Sequence, residues 1–226
     1  MRDAGDLQLI DGQKLIVVIT PDWNAFQGAL ARYERHYGQW EQIGDAFPVV
    51  VGHNGLAWDP LLARGYSGVY QGLIKHEGDG RSPAGLFQLK QTFGFDSALP
   101  ESIDYLPLTP NTECVDDAAS RYYAQIVDRQ KVKIADWNSS EKMRSVPGYR
   151  WGVVVNYNMA RPIRGDGSCI FLHEWSSSAS GTAGCTAMSA DNIASVVQWL
   201  KGKDHATLVQ LPKSDYKALH MKWRLP

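Results

Sequence analysis

The sequence has no long hydrophobic run, so it predicts no membrane-spanning helix. Such a helix needs about 18 consecutive apolar residues, whereas the strongest apolar run, Leu15 to Ile19, has the length of a β-strand. The chain also lacks an excess of charge of either sign, because the formal net charge of the 226 residues is −1 at pH 7. Electrostatics therefore gives no reason to expect nucleic acid or an anionic membrane as a partner.

Metal-binding motifs and a recognisable leader are absent as well. The chain has no Cys-x-x-Cys pair and no His-x-x-x-His pair, and its six histidines are scattered. We therefore expect no structural zinc site and no other metal site. Residues 1–6 lack the basic segment followed by an apolar segment that marks a secretory signal peptide.

Cysteine is rare, and its three copies leave two arrangements open. In an oxidising compartment, a bridge between Cys114 and Cys169 would leave Cys185 as a free reactive thiol. The alternative is three separate thiols. Because sequence does not define connectivity, we take three separate thiols as the expectation.

The residues that are present suit one packed domain. Apolar residues make up 44% of the chain and aromatic residues 11%, which is ample for a core at this length. We treat residues 1–226 as a single domain in which the N-terminal lobe, about 1–70, is a variable subregion. Many short strands, Gly/Pro turns and about three helices predict a β-rich α+β fold.

Local patterns predict the main elements. Apolar and β-branched stretches predict strands at 13–20, 151–157, 168–173 and 207–211. Apolar spacings of three and four, each preceded by a capping residue, predict helices at about 20–38, 116–127 and 189–201. The tail from Ser214 is expected to form a further short helix.

The stretch 168–188 holds the residues with the clearest chemistry. A strand ends on His173, a loop of small residues follows, and Cys185 stands 12 positions after the histidine in a Thr-Ala-Gly-Cys turn. A free thiol has a pKa of about 8.5, and a nearby imidazole can remove its proton to make a nucleophile. The alternative is a buried structural cysteine and an unrelated histidine. Since Cys185 lies in a Gly/Thr/Ala turn and not in an apolar run, we favour an acyl-transfer site.

Several stretches together resemble the L,D-transpeptidase (YkuD-like) family. These are IFLH at 170–173 with TAGCTAMS at 182–189, GDGRSPAGLFQL at 78–89, WGVVVNYN at 151–158 and CVDDAASRYY at 114–123. The stretch at 114–123 also fits the branch of the family that has the TAGC form of the motif. The resemblance implies a β-sandwich-like catalytic fold with about three peripheral helices.

The resemblance also implies roles for individual residues. Cys185 corresponds to the nucleophile, His173 to the general base, and Gly184 with Cys185 to the backbone donors of an oxyanion hole. A backbone carbonyl near Glu174 is the expected group that orients the histidine. The residues that we expect to bind substrate are Thr182, Ala183, Trp175, Arg81, Tyr157 and Asn158.

Two departures from the family pattern affect the expected reaction. Ala183 replaces the second histidine of the commoner motif, and Thr186 and Ala187 leave no arginine directly after the cysteine. A missing arginine removes a two-pronged carboxylate contact.

The resemblance implies an enzyme that joins peptidoglycan stem peptides through a cysteine thioester, without a cofactor. The alternatives are an L,D-carboxypeptidase or endopeptidase that uses the same residues, and a non-catalytic wall-binding domain. The family implies a periplasmic or cell-wall location and hence a leader that was removed. The oligomeric state does not follow from the sequence.

Overall fold

The computed structural model describes residues 13–65, 73–99, 101–202 and 206–226. Residues 1–6, which were considered above for a signal peptide, lie outside these ranges. Part of the proposed N-terminal lobe also lies outside them. The described residues form an eleven-stranded main sheet. Its strands are β1 (Lys14–Thr20), β2 (Gln27–His36), β3 (Gln39–Gln42), β4 (Phe47–Val50), β5 (Leu56–Trp58), β6 (Ser82–Gly94), β7 (Leu106–Pro107), β11 (Trp151–Val155), β12 (Phe171–Glu174), β13 (Thr186–Met188) and β14 (Ala206–Pro212).

A second, smaller sheet, three α-helices and two short 3-10 helices, Met143–Ser145 and Pro147–Tyr149, complete the described elements. The small sheet contains β8 (Thr112–Val115) between β9 (Ile126–Asp128) and β10 (Ser140–Lys142). The helices are α1 (Pro60–Gly65), α2 (Ala190–Trp199) and α3 (Lys213–Trp223). The predicted β-rich α+β class with about three helices is therefore confirmed.

The strands of the main sheet pair in a closed circuit. The order is β1-β14-β6-β11-β12-β13-β4-β2, and β2 pairs again with β1. The strands at 13–20, 151–157 and 207–211 that the sequence predicts correspond to β1, β11 and β14. Because β1 and β2 belong to this circuit, the N-terminal segment contributes to the same sheet as the predicted catalytic motif.

The sheet is buried on both faces where the site lies. Along β12 and the residue before it, Ile170 and Leu172 pack into the larger core cluster. The intervening Phe171 packs into a second cluster together with Tyr149. Alternate residues of a strand point to opposite faces, so His173 lies on the side of Phe171, as the alternation predicts.

Helix α2 covers the larger core and ends close to its predicted bounds. Ser189 is its N-cap, and the Ser189 side chain accepts a hydrogen bond from the Asn192 N–H. Its buried residues are Ile193, Val196 and Val197, the stripe that the sequence spacing predicts. Helix α3 confirms the helix expected in the tail.

The helix predicted at about 20–38 is wrong, because this segment forms β2. The Asp22 side chain does satisfy backbone donors, since it accepts the N–H groups of Asn24 at 2.8 Å and Ala25 at 2.9 Å. These bonds close a turn and not a helix. Strand β2 then pairs with β1, β3 and β4, and pairing with three neighbours outweighs the apolar spacing of three to four residues.

The helix predicted at 116–127 is also wrong, because the segment consists of turns that lead into β9. The Asp117 carboxylate accepts the N–H of Ala119 at 2.9 Å, as a cap would, but it also accepts the N–H of Asn138 at 2.7 Å. Ala124 has a φ of 60°, which ends helical geometry. The Asp117 carboxylate therefore links its own turn to the loop that contains Asn138.

The expectation of three separate thiols is wrong as well. Cys114 on β8 and Cys169, just before β12, form a disulfide across a sequence separation of 55, while Cys185 is free. The bond joins the small sheet to the strand that carries His173. The cross-link therefore fixes the small sheet beside the predicted site.

No helix within the described ranges is long and apolar enough to cross a bilayer.

Reduction of the disulfide should lower the free energy of unfolding by roughly 4 kcal/mol, the loop-closure value for a ring of this size. Urea unfolding with and without a reducing agent measures the change, and the Cys185→Ala variant should show the same sensitivity. Thiol titration of the unreduced, denatured protein should find the Cys185 thiol alone. Three titratable thiols, or unfolding that is insensitive to reduction, would contradict the cross-link.

Candidate active site

Two short parallel strands bring the predicted catalytic residues together. Strand β12 pairs with β13 in a register that places Leu172 opposite Thr186 and His173 opposite Ala187. Cys185 directly precedes β13, so it lies at the start of the strand next to the one that carries His173. Both side chains line one open cavity of about 250 Å³.

The Cys185 sulfur is held by the backbone of the strand beside it. The Phe171 N–H donates to Sγ at 3.3 Å, and the thiol donates to the Cys169 carbonyl at 3.5 Å. Burial of the sulfur raises the pKa of the thiol to about 12, and the negative charge of Glu141 adds to this increase. The resting thiol is therefore protonated at neutral pH.

The His173 ring has one defined role for each nitrogen. Nδ1 lies 2.7 Å from the Glu174 carbonyl oxygen, and a carbonyl only accepts, so Nδ1 carries the proton of the neutral ring. Nε2 is then the basic nitrogen. Burial lowers the pKa of His173, so the imidazole is neutral and able to accept a proton. The hydrogen-bond partner of the ring is therefore a backbone carbonyl at Glu174, where the orienting group was expected.

The Thr-Ala-Gly-Cys turn is closed by its own side chains. The Thr182 hydroxyl donates to the Cys185 carbonyl at 2.6 Å and accepts the Gly184 N–H at 3.1 Å. The Gly184 N–H, one of the two predicted oxyanion donors, is therefore already engaged by the Thr182 hydroxyl. The Cys185 N–H is the predicted donor that remains. Thr182 and Ala183 both line the cavity, although the Thr182 hydroxyl is engaged within the turn.

Trp175 and the small-residue loop form another wall of the cavity. The loop is fixed at its far end, where the Thr182 N–H donates to the Val51 carbonyl at 2.9 Å and the His53 N–H donates to the Thr182 carbonyl at 2.8 Å. At its near end the Trp175 N–H donates to the Met188 carbonyl. Both ends are therefore tied to the sheet.

Arg81 lies outside the described lining of the cavity and has other partners. Its guanidinium donates to the carbonyls of Trp23 at 3.0 Å and Leu56 at 2.9 Å, and to the Asn24 side chain at 3.0 Å. These bonds engage its donors within the fold, so the geometry does not support the expected contact with a substrate carboxylate. The Arg81 backbone instead packs against Gly184.

Tyr157 and Asn158 also lie apart from this cavity. They line a different pocket of about 180 Å³, together with Asp59 and Asp166. The Tyr157 hydroxyl donates to the Asp166 carbonyl, and the Asn158 amide donates to the Gly167 carbonyl at 2.8 Å. Both side chains therefore organise the link that follows β11, and the structure does not bring them to Cys185.

Four residues at the site were missed by sequence reasoning. Ser82 is buried, and its hydroxyl donates to the Cys185 carbonyl at 3.0 Å. Tyr149 packs edge-on against the His173 ring with centroids 5.1 Å apart. Gly148 lies against Glu174, and Glu141 lines the cavity. Ser82 belongs to one of the stretches that resemble the family, but the other three carried no signal of their own.

Within the described ranges, no group of three or more His, Cys, Asp or Glu side chains is placed to hold a metal ion. The titratable side chains that line this cavity are one thiol, one imidazole, one carboxyl and one phenol, and the hydroxyls of Ser176, Ser177, Ser180 and Thr182 line it as well. Such a set suits nucleophilic attack on a carbonyl with proton transfer by the imidazole.

The arrangement defines a candidate cysteine–histidine acyl-transfer site, and comparison with known proteins supplies the family. The family model YkuD, described as the L,D-transpeptidase catalytic domain, matches residues 29–211. The match spans most of the chain, which therefore belongs to this family. No curated protein matches the chain significantly.

The comparison with solved structures gives two matches. One is the crystal structure of the helical cell shape determining protein Pgp2 from Campylobacter jejuni, with 13% identity, a TM-score of 0.41, and coverage of 88% of this chain and 48% of that chain. The other is a point mutant of the same protein, with 14% identity, a TM-score of 0.40, and coverage of 89% and 48%. This chain thus spans about half the length of those proteins.

Alkylation of Cys185 by iodoacetamide should be slow near neutral pH, because only the thiolate reacts. The rate should rise about tenfold per pH unit as the pH approaches the thiol pKa of about 12. Mass spectrometry of the labelled protein measures the rate, with the denatured protein as the reference for an unperturbed thiol. A rate that levels off below neutral pH would instead indicate a resting thiolate–imidazolium pair.

Proposed function

We propose that this protein is a peptidoglycan L,D-transpeptidase that cross-links stem peptides through a thioester on Cys185. The observation that carries the proposal is that the Cys185 thiol and the His173 imidazole line one open cavity. The hydrogen bond from His173 Nδ1 to the Glu174 carbonyl supports it, because it leaves Nε2 available as the base. Membership of the family gives the reaction class.

Acylation is the first step of the proposed reaction. His173 Nε2 takes the thiol proton as Sγ attacks the carbonyl carbon of the donor stem peptide. The Cys185 N–H stabilises the negative oxygen of the tetrahedral intermediate. The carbon–nitrogen bond then breaks, the imidazolium donates its proton to the leaving amine, and the thioester remains on Cys185.

Transfer to the acceptor is the second step. The amine of a second stem peptide attacks the thioester carbonyl, His173 Nε2 takes one amine proton, and the carbon–sulfur bond breaks. The thiolate recovers its proton from the imidazolium, and the new amide is the cross-link. Water in place of the amine would give hydrolysis, which makes the carboxypeptidase or endopeptidase reaction the alternative outcome.

We propose that the protein works outside the cytoplasm, in the periplasm or at the cell wall, after removal of a leader. The disulfide between Cys114 and Cys169 supports this location, because such bonds persist in oxidising compartments and are rare in the cytosol.

The products formed from purified muropeptides test the reaction. Wild-type protein should give dimers, and the Cys185→Ala and His173→Ala variants should lose at least about 10³-fold in rate, since each removes one member of a unit that acts together. His220→Ala on α3 is the matched control and should keep the wild-type rate. Shortened monomers would identify hydrolysis, and full activity of Cys185→Ala would reject the nucleophile.

Gly148→Ala should lower kcat by about 10²-fold with little change in KM, because small displacements of a catalytic group are costly. An added Cβ would lie 2.5 Å from the Glu174 oxygen that accepts the His173 Nδ1–H, so the carbonyl must move and the ring loses its support. Ser145→Ala, in the same segment but exposed, is the control. An unchanged kcat in a folded Gly148→Ala protein would refute the orienting role of this carbonyl.

A further inference from the structure

Glu141 gives the active-site cavity an unbalanced negative charge. It is the one carboxylate among the described residues that line the cavity, and no lysine or arginine occurs among them. The mechanism proposed above assigns Glu141 no part. A carboxylate in a partly enclosed space without a cation is unfavourable unless a ligand supplies one.

The fold holds Glu141 firmly beside the reactive sulfur. On β10, Glu141 lies opposite Cys114 of β8, and the disulfide joins Cys114 to Cys169. The Cys169 carbonyl accepts the Cys185 thiol at 3.5 Å. One strand pairing and one disulfide therefore connect the segment that carries the carboxylate to the backbone that positions the nucleophile, so the fold places both at this cavity.

Tyr149 lines the same cavity as Glu141 and Cys185. Burial raises the pKa of its phenol well above the ordinary value, and the charges of Cys185 and Glu141 add to the increase. Burial raises the pKa of Glu141, and Asp116 adds to the increase, whereas the neighbouring Tyr149 hydroxyl lowers it. Lys75 favours the Cys185 thiolate, but its ammonium is paired with Asp79 at 2.6 Å. The charge of Glu141 is therefore opposed by no cation within the described lining.

We propose that Glu141 is a specificity-determining residue that binds a protonated, non-reacting amine on the donor stem peptide. This inference rests on the proposed function and deepens it, because it defines the donor as a peptide with a free side-chain amine. Pairing with the ammonium group neutralises the carboxylate that opposes formation of the thiolate. Binding of the correct donor thus makes the attack by Cys185 easier, and a donor without the amine meets the resting, protonated thiol.

Two donor peptides that differ by one acetyl group test the inference. One stem peptide carries a free side-chain amine and its twin carries the same amine acetylated, which removes the charge. Acyl-enzyme formation on Cys185 is followed by intact-protein mass spectrometry in a single turnover without acceptor. Wild-type protein should acylate about 10- to 100-fold faster with the free amine, the range for a hydrogen bond to a charged group.

The Glu141→Gln variant should lose this preference, because glutamine keeps the shape and removes the charge. Glu41→Gln, on the exposed strand β3, is the matched control and should keep it. Equal rates with the two peptides in wild-type protein, or an unchanged preference in Glu141→Gln, would overturn the proposal. The wild-type comparison stands even if the variant fails to fold.

A binding measurement separates this inference from the proposed function. Calorimetry with the unreactive Cys185→Ala protein should show tighter binding of the free-amine peptide than of its acetylated twin, and the added Glu141→Gln change should abolish the difference. Absence of acylation in all proteins would reject the proposed reaction while this binding preference still supports the amine site. Equal binding of both peptides would overturn the amine site whatever the reaction.

Discussion

The register between the two short parallel strands β12 and β13 is the constraint on which the site depends. It places His173 opposite Ala187, so that Cys185, just before β13, lies beside the strand that carries the imidazole. A slip of one residue would turn His173 to the opposite face of the sheet. The surrounding structure opposes such a slip, because Ile170 and Leu172 are committed to one core cluster and Phe171 to the other.

The electrostatics of the resting site favour neutral groups. Burial raises the thiol pKa of Cys185 and lowers the pKa of His173, so neither the thiolate nor the imidazolium is favoured before substrate arrives. In the proposed reaction, proton transfer then accompanies attack on the carbonyl, and the His173 tautomer set by the Glu174 carbonyl makes Nε2 the acceptor. In the proposed reaction, the Cys185 thiol therefore stays unreactive toward chance electrophiles until a donor is bound.

The sequence predicted the parts of this site that depend on local pattern. The alternation around Phe171, the N-cap at Ser189 and the apolar run of β1 each reflect one strand or helix and were confirmed. The segment of β2 was mistaken for a helix, because its pairing with three other strands is not visible in its own spacing. Tyr149 and Glu141 were missed for the same reason, since packing and the small sheet bring them to Cys185. The sequence did not predict the disulfide, because the pairing of cysteines depends on how the whole chain folds.

The most direct test of the central claim is to locate the acyl group on protein quenched during turnover with a stem-peptide donor. Digestion and tandem mass spectrometry should find the donor fragment as a thioester on Cys185, and its formation should be slowed by at least about 10³-fold in His173→Ala protein. An acyl group on another residue, or acylation of His173→Ala at the wild-type rate, would contradict the cooperation of these two side chains across β12 and β13.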